Sequence, residues 1–155
     1  MMLSEDHENP GGRVLAIDYG KRRVGLAISD PTGTIASGIG TLEVNSDREA
    51  IERILRGRAD WGYTRIIVGL PIKESGDEGA MALAVRQFVH RLKSKLDIEV
   101  ILVDERYSSM EAERLFHQSG KKLKGRKHEI DRLAAEVLLR GYLDTLDAAG
   151  GSPLE

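Results

Sequence analysis

The sequence predicts an α/β domain built on a mixed sheet of five strands, three antiparallel and then two parallel, with helices on both faces. Three observations lead there. Residues 13–44 hold three strand-like segments with only turn-length breaks between them, as a meander does. Two later apolar runs, RIIVGL and VILV, are short and unbroken, which suits strands buried on both faces. Helix-period segments follow each of these runs, and helices are how parallel strands are joined.

In chain order, residues 1–12 (MMLSEDHENPGG) are polar and aperiodic and are expected to form a disordered tail. The first strand covers about 13–18 and turns at Tyr19-Gly20-Lys21, where Gly20 would supply the positive φ of a tight hairpin. Val24, Leu26 and Ile28 alternate along the second strand, and residues 35–44 make the third. Ser46 and Glu49 are spaced as a capping box before Ile51, Ile54 and Leu55. The fourth strand, 65–70, stops at Pro71, and Gly69, Pro71, Gly76 and Gly79 are expected to shape a mobile loop. Met81, Val85, Phe88, Leu92 and Leu96 recur at helical spacing, and residues 100–103 form the fifth strand. Ser108 and Glu111 suggest another capped helix, to about His117. Ile130, Leu133, Ala134, Val137 and Leu138 mark a last helix over roughly 129–145. Residues 147–155 read as a flexible tail, leaving one domain at 13–146.

Composition narrows the class. The 155 residues are 41% hydrophobic and 31% charged, ordinary for a globular protein. No stretch approaches the ~18 apolar residues that span a bilayer, so no membrane partner is expected. The N-terminus has no apolar secretory core, and with zero cysteines there is neither a disulfide framework nor a thiolate metal site. A cytoplasmic setting is the expectation. The net charge of −2 does not by itself point to nucleic acid. Local patches do: Lys21-Arg22-Arg23, and GKKLKGRKH at 120–128, which carries Lys121, Lys122, Lys124, Arg126 and Lys127 without an acid.

Asp18 is the residue that breaks the pattern. It follows the apolar run Val14-Leu15-Ala16-Ile17, and a buried carboxylate costs several kcal/mol unless paired, hydrogen-bonded or metal-bound. Glu105 follows the fifth strand and Asp131 opens the last helix, so the three can converge at one rim of the sheet. Convergent carboxylates repel unless cations neutralise them, and oxygen-only ligands favour Mg²⁺ or Mn²⁺. Two such ions are the usual apparatus of in-line phosphodiester hydrolysis. Each acid also has a structural use: turn N–H groups for Asp18, Arg106 or a lysine for Glu105, the helix dipole for Asp131. Asp104 neighbours Glu105, and adjacent strand residues point to opposite faces, so one of the two is expected at the site.

IDYGKRRVGLAISD, IIVGLP, VDERYSS and KHEIDRLAAEVLLRGYL together resemble the YqgF/RuvX family of RNase H-like nucleases over roughly residues 13–144. The resemblance implies an RNase H-like fold with the first strand central. It implies a hydrolase acting on pre-16S rRNA 5′ ends in ribosome biogenesis, or on Holliday junctions in recombination and repair. Carried over by position, the metal-binding and catalytic acids would be Asp18, Glu105 and Asp131. The chain departs from resolvases that place an acid after the fourth strand: here that place reads Val68-Gly69-Leu70-Pro71, and Glu105 would substitute.

The expected partner is structured RNA or branched DNA, gripped through phosphates by Lys21, Arg22, Arg23, Arg106, the 120–128 loop and His128. His128 has the H-x-x-D spacing to Asp131 found in some resolvases, beside a plain reading as a solvated loop histidine. Tyr19 and Tyr107 could stack on an unpaired base or simply pack. Both monomer and homodimer remain open. The competing readings are a non-catalytic module associated with the ribosome or transcription machinery, and an actin-like ATPase phosphate loop in D-Y-G-x-x-x-x-G-x-A, which normally needs two such domains.

Overall fold

A computed structural model describes residues 12–73, 75–105, 114, 117, 118 and 127–150. The strands are β1 (Arg13–Asp18), β2 (Arg23–Ser29), β3 (Ala36–Glu43), β4 (Tyr63–Leu70) and β5 (Glu99–Asp104). The helices are α1 (Asp47–Arg56), α2 (Arg58–Trp61), α3 (Ala80–Lys93) and α4 (Lys127–Gly150). They form one five-stranded sheet in the order β3-β2-β1-β4-β5. β1 to β3 are antiparallel, and β4 and β5 run parallel to β1. The mixed sheet and the central β1 are as expected.

β1 is buried on both faces because its side chains feed two cores. Leu15 and Ile17 pack with Ile51, Ile54, Phe88 and Leu92 of α1 and α3. Val14 and Ala16 pack on the other face with Ala135, Leu138, Leu139 and Leu143 of α4. An apolar run without alternation is what such a position requires. α1 begins as its sequence indicates: the Ser46 hydroxyl accepts from Glu49 N–H at 3.1 Å. Glu49 reaches back one residue further than a standard box, accepting from Asn45 N–H at 2.9 Å.

Several expectations shift. Gly20 is not among the glycines with positive φ, which are Gly33, Gly40, Gly62 and Gly76. The β1–β2 connection spans four residues, and Gly20 is needed there for space: a Cβ would overlap the Arg23 carbonyl oxygen. After Pro71, Ile72 is bridged to Glu78 and Lys73 N–H donates to Asp77 O at 2.8 Å. Helix α4 starts two residues earlier and ends five later than its apolar period marks. Asp131 therefore lies in its second turn, where little dipole benefit remains. His128, expected in a loop, stands in the first turn. Residues 147–150, expected in the tail, continue the helix. The proposed 108–117 helix and Tyr107 lie outside the described residues. No helix among the described residues is long and apolar enough to cross a membrane.

Candidate active site

The face of the sheet covered by α4 ends in acids. Along β1 the row Val14–Ala16 continues to Asp18, and along β5 the row Ile101–Val103 continues to Glu105. The ladder persists past β5: Leu70 pairs with Asp104, and Glu105 N–H donates to Leu70 O at 3.1 Å. Glu105 thus keeps the inward parity of its row, while Asp104 is exposed on the other side. Between β1 and β5 lies β4, where Gly69 stands in the row that would otherwise carry a side chain into the site. A Cβ at Gly69 would overlap the Glu105 carboxylate. Glu105 therefore fills, from the next strand, the space above the position where resolvases of this fold type were expected to carry their acid.

Asp18 and Glu105 share a hydrogen bond between their carboxyls, so one of them keeps a proton. Burial pushes Asp18 up to about 7, with the nearby negative charge of Asp131 adding to the rise. Burial first, and then the charge of Asp18, push Glu105 up to about 8. Both directions have one origin: two carboxyls facing each other in a poorly solvated place cannot both ionise.

Asp131 reaches this rim because α4 lies directly on β2. Gly25, the residue paired with Asp18 across the β1–β2 ladder, has its open side against the backbone of Asp131, and a Cβ there would overlap the Asp131 carbonyl. The Asp131 carboxylate is held by Arg23, whose Nε donates to Oδ2 at 2.8 Å. Arg23, expected on nucleic acid, is thus paired within the protein. The structure brings Asp18 and Glu105 into contact, and Asp131 within electrostatic reach. Among the described residues no three His, Asp or Glu side chains are grouped as a metal site. The donor chemistry nevertheless fits a hard cation, since a proton-sharing carboxyl pair is an all-oxygen donor set that a divalent ion would keep fully ionised.

The remaining expected residues divide. Lys21 and Arg22 are exposed on the β1–β2 loop. Arg106, Lys121, Lys122, Lys124 and Arg126 lie outside the described residues, as do the side chains of Lys127 and His128. Tyr19 packs: its ring centroid is 4.7 Å from that of Phe88, and its hydroxyl donates to Asp47 Oδ1 at 2.6 Å. Gly25 was missed in the sequence and Gly69 was assigned to a loop, whereas it stands inside β4; a glycine inside a strand is a known sign of close approach.

With this geometry in view, comparison with known proteins is specific. A family model described as RuvX, Holliday junction resolvase, matches residues 12–145. A protein of Roseiflexus sp. (strain RS-1) named "Putative pre-16S rRNA nuclease" is 40% identical over 134 residues, covering 86% of this chain and 95% of its own. A Bacillus cytotoxicus protein of the same name is 39% identical over 135 residues, covering 86% and 98%. Among solved structures, the fowlpox virus resolvase in complex with Holliday junction DNA matches with a TM-score of 0.56 at 14% identity, over 86% of this chain and 98% of that one. Thermus thermophilus RuvC with a Holliday junction substrate gives 0.56 at 15%, over 90% and 96%. At such identity the structural likeness is one of fold, the RNase H-like fold of these resolvases. By the reach of the family model and the identity of its relatives, the chain belongs to the RuvX family.

Proposed function

We propose that this chain is a hydrolase that cleaves phosphodiester bonds in structured nucleic acid, with the 5′ end of pre-16S rRNA as its main substrate. The observation that carries this reading is the pair of facing carboxyls, Asp18 at the end of central β1 and Glu105 just past edge strand β5, with Asp131 within electrostatic reach. Mg²⁺ or Mn²⁺ would be held by Asp18 and Glu105, joined by Asp131, and would supply Lewis-acid activation of water and neutralisation of phosphate charge. The rRNA substrate rests on the name shared by the relatives. The family description favours a second substrate, the four-way DNA junction, which the same acids would serve.

The chain's own residues do the positioning. Rigid β1 and β5 fix the two carboxyls, and packing of α4 on Gly25 fixes Asp131. Arg23 is the movable part. Its guanidinium can exchange the Asp131 carboxylate for a phosphate, an ion of the same charge sign and fork geometry, which would free Asp131 for the cation as substrate arrives. Arg23→Gln should therefore raise the affinity for Mn²⁺, measured calorimetrically without nucleic acid, several-fold. The same change should weaken RNA binding and reduce its log–log salt slope by roughly one unit. If neither affinity changes, Arg23 is only a structural partner of Asp131.

The decisive experiment incubates purified protein with a 5′-extended 16S rRNA fragment and with a four-way DNA junction, each with Mg²⁺ or Mn²⁺. Metal-dependent cleavage of the rRNA fragment at its 5′ side is expected. Cleavage of the junction alone would move the substrate to DNA, and cleavage of neither would favour a binding module.

A further inference from the structure

On the opposite side of the rim from the acids, the β1–β2 loop borders an open groove of about 500 Å³. One wall is Tyr19, Lys21 and Arg22, a second is Asn45, Ser46 and Asp47 at the start of α1, and the third is Ala80, Leu83, Ala84 and Gln87 on α3. We propose that this groove is a subsite for an unpaired nucleotide of the strand being cut, next to the phosphate at the acids. The proposal rests on the nuclease reading and names the form of substrate that reading leaves open.

Three features of the groove select this occupant. Its place comes first: Asp18 and Tyr19 are consecutive, one facing the acids and the other facing α3, so a strand crossing the rim at the acids continues over Lys21 into the groove. Its charge comes second. Lys21 and Arg22 are exposed cations, whereas the acid in the lining, Asp47, is already engaged by the Tyr19 hydroxyl and by Arg91 at 3.5 Å. The third wall decides between a duplex and a single strand. A duplex backbone asks only for cations. Here α3 presents apolar Ala80, Leu83 and Ala84, with Leu83 58% exposed, and the groove is also lined by the side-chain amides of Gln87 and Asn45. An apolar wall, an aromatic residue in Tyr19 and two amides among the lining residues suit the face and the hydrogen-bonding edge of a splayed base. The volume lies within the ~300–1,000 Å³ range of small-ligand sites.

The test uses fluorescence anisotropy in EDTA, so that cleavage does not intervene. The probes are a labelled RNA stem-loop that is blunt, or that carries a four-nucleotide extension on its 5′ or 3′ side. Wild-type protein should bind one extended form about tenfold more tightly than the blunt form, and abasic nucleotides in the extension should abolish that preference. Leu83→Gln, a neutral change on an exposed helix position that leaves folding intact, should remove the preference while leaving blunt binding within twofold. Lys21→Ala with Arg22→Ala should flatten the salt dependence of extended-form binding by roughly 1.4 log units per log unit of salt, two phosphates at ~0.7 each. Equal binding of blunt and extended forms, or a preference untouched by Leu83→Gln, overturns the subsite even if metal-dependent cleavage is observed. A Leu83-dependent preference in a protein that cleaves nothing retains the subsite and removes the nuclease reading.

Discussion

Asp18→Asn is expected to abolish metal-dependent cleavage and, in the same protein, to make the metal-free fold more stable at pH 8. The two effects share a cause. Asp18 and Glu105 are raised to about 7 and about 8, while in the unfolded chain they ionise near 3.8 and 4.5. Between about pH 4 and pH 8 the folded pair therefore holds protons that the unfolded chain has already released. Stability is fully present below that window and is lost as pH rises through it. The loss by pH 8 is on the order of a few kcal/mol, reduced by the partial exposure of Glu105. For a domain of this size that corresponds to roughly 5–10 °C in melting temperature. Asparagine cannot ionise and can donate an amide N–H to Glu105, so the pH dependence should flatten and the variant should melt above wild type at pH 8.5.

Addition of Mn²⁺ should reverse that order, because a cation bound only by the folded wild type restores the lost stability. Cleavage by the variant should fall by at least about 10²–10³-fold, since even outer partners of metal ligands cost about 10–100-fold when removed. Melting curves at pH 5.5 and 8.5, with and without Mn²⁺, check the first part, and initial cleavage rates check the second. Undiminished cleavage by Asp18→Asn would end the nuclease reading. A variant with wild-type pH dependence would show that the facing carboxyls are not the source of the instability.

Much of the fold was legible because it is written in local patterns. Strand β1 announces itself by an apolar run too short for a helix, and α1 by Ser46 and Glu49. Asp18 was legible for the opposite reason, as a charge closing an apolar run, whereas local pattern alone left Asp104 and Glu105 as alternatives. What was not legible depends on residues far apart in the chain. The Arg23–Asp131 pair spans 108 positions, and an arginine in a basic triplet gives no sign that it will face inward. The start of α4 was misjudged because its first turn, Lys127 to Glu129, is polar, and periodicity detects only the buried stripe. Tyr19 was ambiguous in sequence since stacking on a base and packing on Phe88 ask for the same ring. The strand glycines were the misread signal, Gly25 passed over and Gly69 assigned to a loop. Gly25 and Gly69 interrupt strands whose other residues are large and buried, and both mark where the site's acids come close.

Gly25→Ala carries that argument to its largest structural consequence. Its added methyl group points at the Asp131 carbonyl, which belongs to the backbone of a helix packed across β1, β2 and β3. A helix cannot yield at one carbonyl, so α4 must lift from β2 or the strand must bend. Overpacking of this kind costs about 1–3 kcal/mol, and a displacement near 1 Å at a reacting group costs on the order of 10²-fold in rate. Gly38→Ala provides the comparison. Gly38 also faces α4, but the atoms in its way belong to side chains: the aliphatic carbons of Arg132, which is exposed and can change rotamer, and at 3.3 Å the Glu136 Oε1. That variant should lose less than about 1 kcal/mol and keep most of its cleavage rate. Denaturant melts and cleavage assays on the pair separate the two cases. Equal losses in both would mean that general crowding of α4 matters and not the placement of Asp131. A large loss of cleavage at Gly25 alone would tie the third carboxylate to the site through the backbone that positions it.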